Sequence, residues 1–240
     1  MLKLPLPENV RIASFDMGRR NFAVYVEDVP HAFLKKARLA ARKLSSSVRH
    51  SVKRRLEDFP QLHEQISEVC LSGTRVHLAV YDIQDDSEEG FGMKTRRRLV
   101  EVLDSLGAVL ATCDIAVLEQ QYVNGLDRRT RKGKAGGTAN FPALKVGEAV
   151  ATWLTIRVPW VEAFFFGASF KTQILGAPPE MTKPERKRWA VERARKLMEE
   201  RGDAVGRKTL QRSKADDLAD TILMAAAFKW KGLIIDAVDF

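Results

Sequence analysis

The chain has 240 residues, with 40 Lys and Arg against 31 Asp and Glu for a formal charge of +9; 45% is hydrophobic and 30% charged. That mixture belongs to a globular protein with room for a sizeable core in one large domain, and it excludes general disorder. The positive excess points to a polyanionic partner, most often nucleic acid. Cys70 and Cys113 are isolated and form no CxxC, and His31, His50, His63 and His77 lack metal-ligand spacing. Neither a disulfide framework nor a zinc site is expected. No apolar run approaches the ~20 residues of a membrane span. The leader, Met1 to Pro7, carries no long apolar stretch and no Arg/Ser-rich presequence, so the expected setting is intracellular and reduced, not secreted.

Arg11 to Phe15 reads as a strand ending at Asp16, and after a Met17–Arg20 turn Asn21 to Val26 resumes it, forming a hairpin. From about His31 to Cys70 the spacing becomes helical and one side strongly basic. Nine Lys/Arg lie between Lys35 and Arg55, interleaved with Leu34, Leu39, Leu44, Val48 and Val52. An apolar stripe beside a basic one needs two partners. This block is therefore expected to pack on its own core or on a dimer mate, presenting Arg38, Arg42, Arg49 and Lys53 to DNA. Val76 to Tyr81 returns to strand, the loop Asp85 to Gly92 leads to a helix over Lys94 to Leu106, and Ile115 to Leu118 is a buried strand ending at Glu119. Residues 123–140, rich in Gly, Lys and Arg, read as a loop. Ala143 to Ile156 fits a helix, and Val158 to Phe166 a strand ending near Lys171. Pro184 sits near the start of a basic helix ended by Gly202, and a last helix starts at Ser213. Strands first, then alternating helices and strands, make an α/β layout with a mixed sheet, read as a single domain over residues 1–240.

Acidic residues stand where acids are costly unless used. Asp16 ends the first strand, Glu119 follows an apolar strand, and Asp216, Asp217 and Asp220 precede the apolar part of the last helix. Strand ends at one edge of an α/β sheet are where sites are built. Asp217 and Asp220 are three apart and share a helix face, where a bound cation relieves their repulsion. Carboxylate oxygens at this density suit magnesium or manganese. Taken singly, Asp16 also fits a turn residue before Gly18, and Glu119 a strand-end acid paired to Arg. Ser213-Lys214-Ala215-Asp216 matches a capped helix start, so Asp216 is read as the helix-start acid and metal binding is assigned to Asp217 and Asp220.

Ser14-Phe15-Asp16-Met17-Gly18, Val117-Leu118-Glu119-Gln120-Gln121 and Lys214-Ala215-Asp216-Asp217-Leu218-Ala219-Asp220 resemble the three acidic motifs of RuvC-like Holliday junction resolvases, with the greatest likeness to the poxvirus and large-DNA-virus branch. The resemblance covers residues 11–26 and about 76–230. It implies an RNase H-like mixed sheet flanked by helices, a homodimer, and magnesium- or manganese-dependent cutting of four-way DNA junctions, at the site of viral DNA replication if the chain is viral. Asp16, Glu119, Asp217 and Asp220 would be the metal-binding tetrad, holding two ions about 4 Å apart that activate a water. Lys171 falls where viral members often have a basic residue; a surface lysine is the plain alternative. Two features depart from the family: residues 31–70 form a longer helical insertion after the second strand, and Met17-Gly18-Arg19-Arg20-Asn21 differs from the small residues that usually follow the first Asp.

DNA is expected on three basic runs. They are Arg128, Arg129, Arg131, Lys132 and Lys134; Lys183, Arg186, Lys187 and Arg188; and the block at 35–55. Phosphate contacts give affinity without sequence information, so junction selectivity has to come from shape. Tyr122, Phe141 and Trp189 are aromatics near these runs, with core packing the expected role of Trp189. Two rival readings remain open. One is a ribonuclease H acting on RNA–DNA hybrids, whose Glu comes from the first helix; the other is a non-catalytic junction binder whose acids only cap or pair.

Overall fold

The computed structural model describes residues 8–43, 60–121, 140–212 and 214–236. Strands β1 (Asn9–Met17) and β2 (Phe22–Pro30) pair antiparallel from Asn9 opposite Pro30 to Met17 opposite Phe22. The turn between them demands glycine, because a Cβ on Gly18 would lie 2.7 Å from the Asn21 carbonyl oxygen. β3 (Thr74–Tyr81) adds antiparallel to β2, while β4 (Ile115–Gln120) and β5 (Glu162–Gly167) run parallel to β1. The sheet is a mixed five-stranded one in the order β3-β2-β1-β4-β5. With period-2 alternation, Ala13, Phe15 and Met17 line one face, and Val10 and Ile12 the other.

Helices cover both faces. α3 (Met93–Ser105), the short α4 (Gly107–Leu110) and α5 (Phe141–Arg157) lie on the side of Phe15. The side of Ile12 carries α6 (Ala168–Ile174), α7 (Lys183–Glu200), the short α8 (Ala204–Thr209) and α9 (Ala215–Phe228). α9 packs on β1 and β2 beneath α7, which explains why everything from Thr221 to Phe228 is buried. It continues into a π-helical segment, Lys229–Ile235, that no sequence signal announced.

Within residues 31–70 the described parts are α1 (His31–Arg42) and α2 (Pro60–Leu71). Leu34 and Ala41 of α1 and Leu62, Ile66, Val69 and Cys70 of α2 join the same core as α9. These two helices thus pack on their own chain, and residues 44–59 between them lie outside the described residues. The basic side of α1 is only partly free: the Arg38 guanidinium donates to the Leu233 carbonyl and ties α1 to the π-helical segment.

Three local expectations change. β5 begins at Glu162 instead of Val158, whose N–H still bonds to the Leu154 carbonyl as the cap of α5. Lys171 therefore lies on a helix, α6, and not at a strand end. α9 starts at Ala215, not Ser213, with Lys214 as its N-cap in the left-handed region (φ 65) and without a side-chain cap; Ser213 of the expected capping box lies outside the described residues.

A buried charge knot ties the layers together. A bulge in the β2–β3 ladder falls between Val26 and Glu27, and Glu27 turns toward the α9 side with no exposure. Its carboxylate meets Arg201 at 2.9 Å and Lys229 at 3.1 Å, and accepts the Tyr25 hydroxyl at 3.0 Å. Burial alone would push the Glu27 carboxyl up, but Lys229 and Arg201 outweigh it and hold the group below its ordinary value. Arg201 and Lys229 also donate to the Ser72 carbonyl. Removing one member of such a cluster strands the others. Glu27→Gln is expected to cost about 3–5 kcal/mol of unfolding free energy, read as a lower urea midpoint with the same m-value.

Candidate active site

The alternation that sorts the core also sorts the acids. Asp16 is on the same side of β1 as Ile12, and Glu119 on the same side of β4 as Ile115 and Val117, which is the side α9 covers. The parallel register pairs Phe15 with Leu118, so the next residues, Asp16 and Glu119, are neighbours. α9 brings Asp217 and Asp220 to this point from its first two turns. From α6, Lys171 reaches in, 8% exposed, with its Nζ 2.9 Å from Asp220 Oδ2 and 3.5 Å from Glu119 Oε1. Four carboxylates and one ammonium from four elements therefore share one site.

The charges act on each other as such crowding requires. Burial, then the Glu119 and Asp220 carboxylates, push the Asp16 carboxyl well above its usual range. Burial, then Asp216, push Asp217 up to about 6. Burial would lower Lys171, but Asp220 and Glu119 overcome it and keep the ammonium charged. Asp216 behaves differently: burial would raise it, yet its bond to Lys187 (2.5 Å) holds it below the ordinary value. Asp216 is ion-paired at the helix start, whereas Asp217 carries a buried Oδ2 with no hydrogen-bond partner among the described residues.

Among the described residues no group of three or more His, Cys, Asp or Glu is already gathered as a metal cage. Glu119 and Asp220 are instead engaged by Lys171. The donor set still fits a hard divalent cation: it is all carboxylate oxygen, it holds one unpaired buried oxygen on Asp217, and its Asp16 is pushed toward neutrality by burial and by like charges.

Of the expected DNA contacts, Lys183, Arg186 and Lys187 are exposed on the first turns of α7, with Lys187 reaching the site through Asp216. Arg42 is exposed on α1, while Arg38 is held by Leu233. Arg49, Lys53, Arg128, Arg129, Arg131, Lys132, Lys134 and Tyr122 lie outside the described residues. Phe141 is 54% exposed at the start of α5, and Trp189 packs against the core. Three links escaped the sequence reading. Gln121 donates to Glu119 Oε2 (2.8 Å), Lys187 to Asp216, and Lys214 to the Arg20 carbonyl (2.9 Å) of the β1–β2 turn. The last two join residues far apart in sequence, and no spacing rule connects them.

The same architecture recurs in solved proteins. The resolvase of Fowlpox virus, in a crystal structure with substrate Holliday junction DNA, superposes with a TM-score of 0.52 over 93% of this chain and 99% of that one, at 12% identity. RuvC of Thermus thermophilus superposes with a TM-score of 0.50 over 93% of this chain and 97% of that one, at 13% identity. The fold is that of the RuvC-type resolvases. It is RNase H-like, with the 3-2-1-4-5 mixed sheet at its centre. In sequence, "Uncharacterized protein 97L" of Invertebrate iridescent virus 3 is 29% identical over 232 residues, spanning 91% of this chain and 98% of that protein. No family model matches the chain. No described helix is long and apolar enough to cross a membrane.

The raised Asp217 has a consequence for stability. A carboxyl with a folded pKa of about 6 and an unfolded one near 3.8 binds its proton more tightly in the folded chain. Its contribution therefore falls as pH rises through that window and stays unfavourable above it. Without divalent metal at pH 7, Asp217→Asn is expected to raise Tm by about 2–4 °C, equivalent to ~1 kcal/mol after discounting for solvent screening. The gain should vanish below pH ~4, where both carboxyls are protonated, and a calorimetric pH series checks it.

Proposed function

We propose that this protein is a magnesium- or manganese-dependent endonuclease that resolves four-way DNA junctions as a homodimer. The observation that carries the reading is the meeting of Asp16, Glu119, Asp217 and Asp220 around Lys171 on a resolvase-type fold. Support for branched DNA as the substrate comes from the Fowlpox virus resolvase and its junction complex, and the +9 charge agrees with a polyanion. A junction is two-fold symmetric, and a two-fold dimer offers two cutting sites through one self-complementary interface. The iridescent-virus relative fits work at a site of viral DNA replication.

Asp16, Glu119, Asp217 and Asp220 would hold the metal, which supplies an activated water and charge stabilisation at the leaving oxygen. The side chains do the rest. Asp16 and Asp217 are both pushed toward protonation, and a bound cation would favour their ionised forms. Gln121 and Lys171 bond to the two oxygens of Glu119 and fix its orientation. Lys171 also brings positive charge beside Asp220, suited to a phosphodiester entering a carboxylate-lined site. Water is the nucleophile, so no Ser, Cys or His is required, and the products are a 5′-phosphate and a 3′-hydroxyl. The ribonuclease H reading is disfavoured because Glu119 comes from β4 and two Asp share α9.

Cleavage of a labelled four-way junction, a linear duplex and an RNA–DNA hybrid, with and without magnesium, tests the proposal. The junction alone should be cut, and only with metal. Asn or Gln at Asp16, Glu119, Asp217 or Asp220 should abolish cutting while junction binding persists. Asp216→Asn should retain most activity; wild-type rates in all four tetrad variants would sink the assignment.

A further inference from the structure

Between Asp203 and Asp216 the chain carries Arg207, Lys208, Arg212 and Lys214 and no acidic residue. This segment contains α8 and leads straight into the turn of α9 that bears Asp217. Its start is fixed by Asp203, which receives both Arg75 nitrogens at 2.6 and 2.9 Å and caps α8 by accepting the Gly206 N–H. Its middle is fixed by Leu210, whose side chain is buried and whose carbonyl accepts the Arg195 guanidinium at 2.7 Å. Its end is fixed by Lys214, held in the left-handed region with its Nζ on the Arg20 carbonyl. Lys208 and Arg212 project from this anchored ribbon, exposed, with no side-chain hydrogen bond or ion pair among the described residues.

A contrast within the same protein shows why this matters. α3 opens with Lys94, Arg96, Arg97 and Arg98, but the loop before it supplies Asp85, Asp86, Glu88 and Glu89. Arg98 is spent on Asp85 at 3.0 Å, Lys94 on Ser87 at 2.7 Å and Arg96 on the Phe91 ring at 5.0 Å, which leaves Arg97 as the one of the four without a partner among the described residues. Over residues 207–212 the one such ion pair among the described residues is Arg207 with Glu199 at 3.4 Å. Unpaired cations on a rigid support, ending at a carboxylate site, are complementary to a backbone of evenly spaced negative charge.

We propose that residues 207–212 form a phosphate track that guides the backbone of one DNA arm toward the carboxylate site, with Lys208 and Arg212 as its contacts. This rests on the nuclease reading above. In the full chain, Lys208→Gln with Arg212→Gln is compared with Lys145→Gln and Arg157→Gln. The second pair is equally exposed and removes the same charge from α5 on the opposite face of the sheet. Binding to a four-way junction is measured in EDTA, so that no strand is cut, over a salt series. The track variant should flatten the plot of log K against log salt by ~0.9 per lost contact, about 1.8 for the pair. The α5 variant should leave it unchanged, and Lys208→Arg with Arg212→Lys should restore it. Equal flattening by both Gln pairs, or none by the track pair while wild-type protein binds and cuts junctions, overturns the track alone. Wild-type protein that binds no DNA overturns the track together with the nuclease reading.

Discussion

Crowding of four carboxylates at one end of a sheet is the constraint that the surrounding structure answers. Two come from adjacent parallel strands, which fixes their separation through the ladder instead of through flexible side chains. Two come from a helix whose first turns are where its dipole favours negative charge. One lysine on a short helix compensates part of the repulsion from inside the site. The sheet, α9 and α6 must all be in register for that balance to hold, so the site is as well determined as the core beneath it.

The two faces of the sheet divide the labour. The face under α3 and α5 is lined by Phe15, Met17, Phe22, Val24 and Leu118, and serves packing. The face under α9 mixes apolar residues with the clustered carboxylates at one end and the Glu27 knot at the other. α7 and α9 both start near the site, where Lys187 meets Asp216, and both lead to the knot, where Arg201 and Lys229 meet Glu27. The two charge clusters are thus the two ends of one helix pair.

Much of this was legible in the sequence because period-2 and period-3 spacing are local. The hairpin, the strand before Glu119, the helix from Pro184 to Gly202 and the shared face of Asp217 and Asp220 all follow from residues within one or two turns of each other. The preference for Asp217 over Asp216 followed from a capping motif. The structure adds a contact that no local motif could give, the ion pair of Asp216 with Lys187. What was hidden depends on distant partners. Glu27 lies just past the strand read over Asn21 to Val26, and its partners Arg201 and Lys229 come from far along the chain; the helical start of α6 moved Lys171 off the strand end.

The bulge at Glu27 bears on the order in which the chain folds. β1 and β2 pair through a tight turn and form from neighbouring residues, but Glu27 lies in that hairpin while its cationic partners are residues 201 and 229. During synthesis the hairpin emerges long before either cation, so its carboxylate has to stay hydrated and the strand cannot be sealed against the α9 layer. Closure waits for the segment that carries Lys229. Burial of the Glu27 carboxylate thus couples completion of the amino-terminal hairpin to arrival of the segment that carries Lys229.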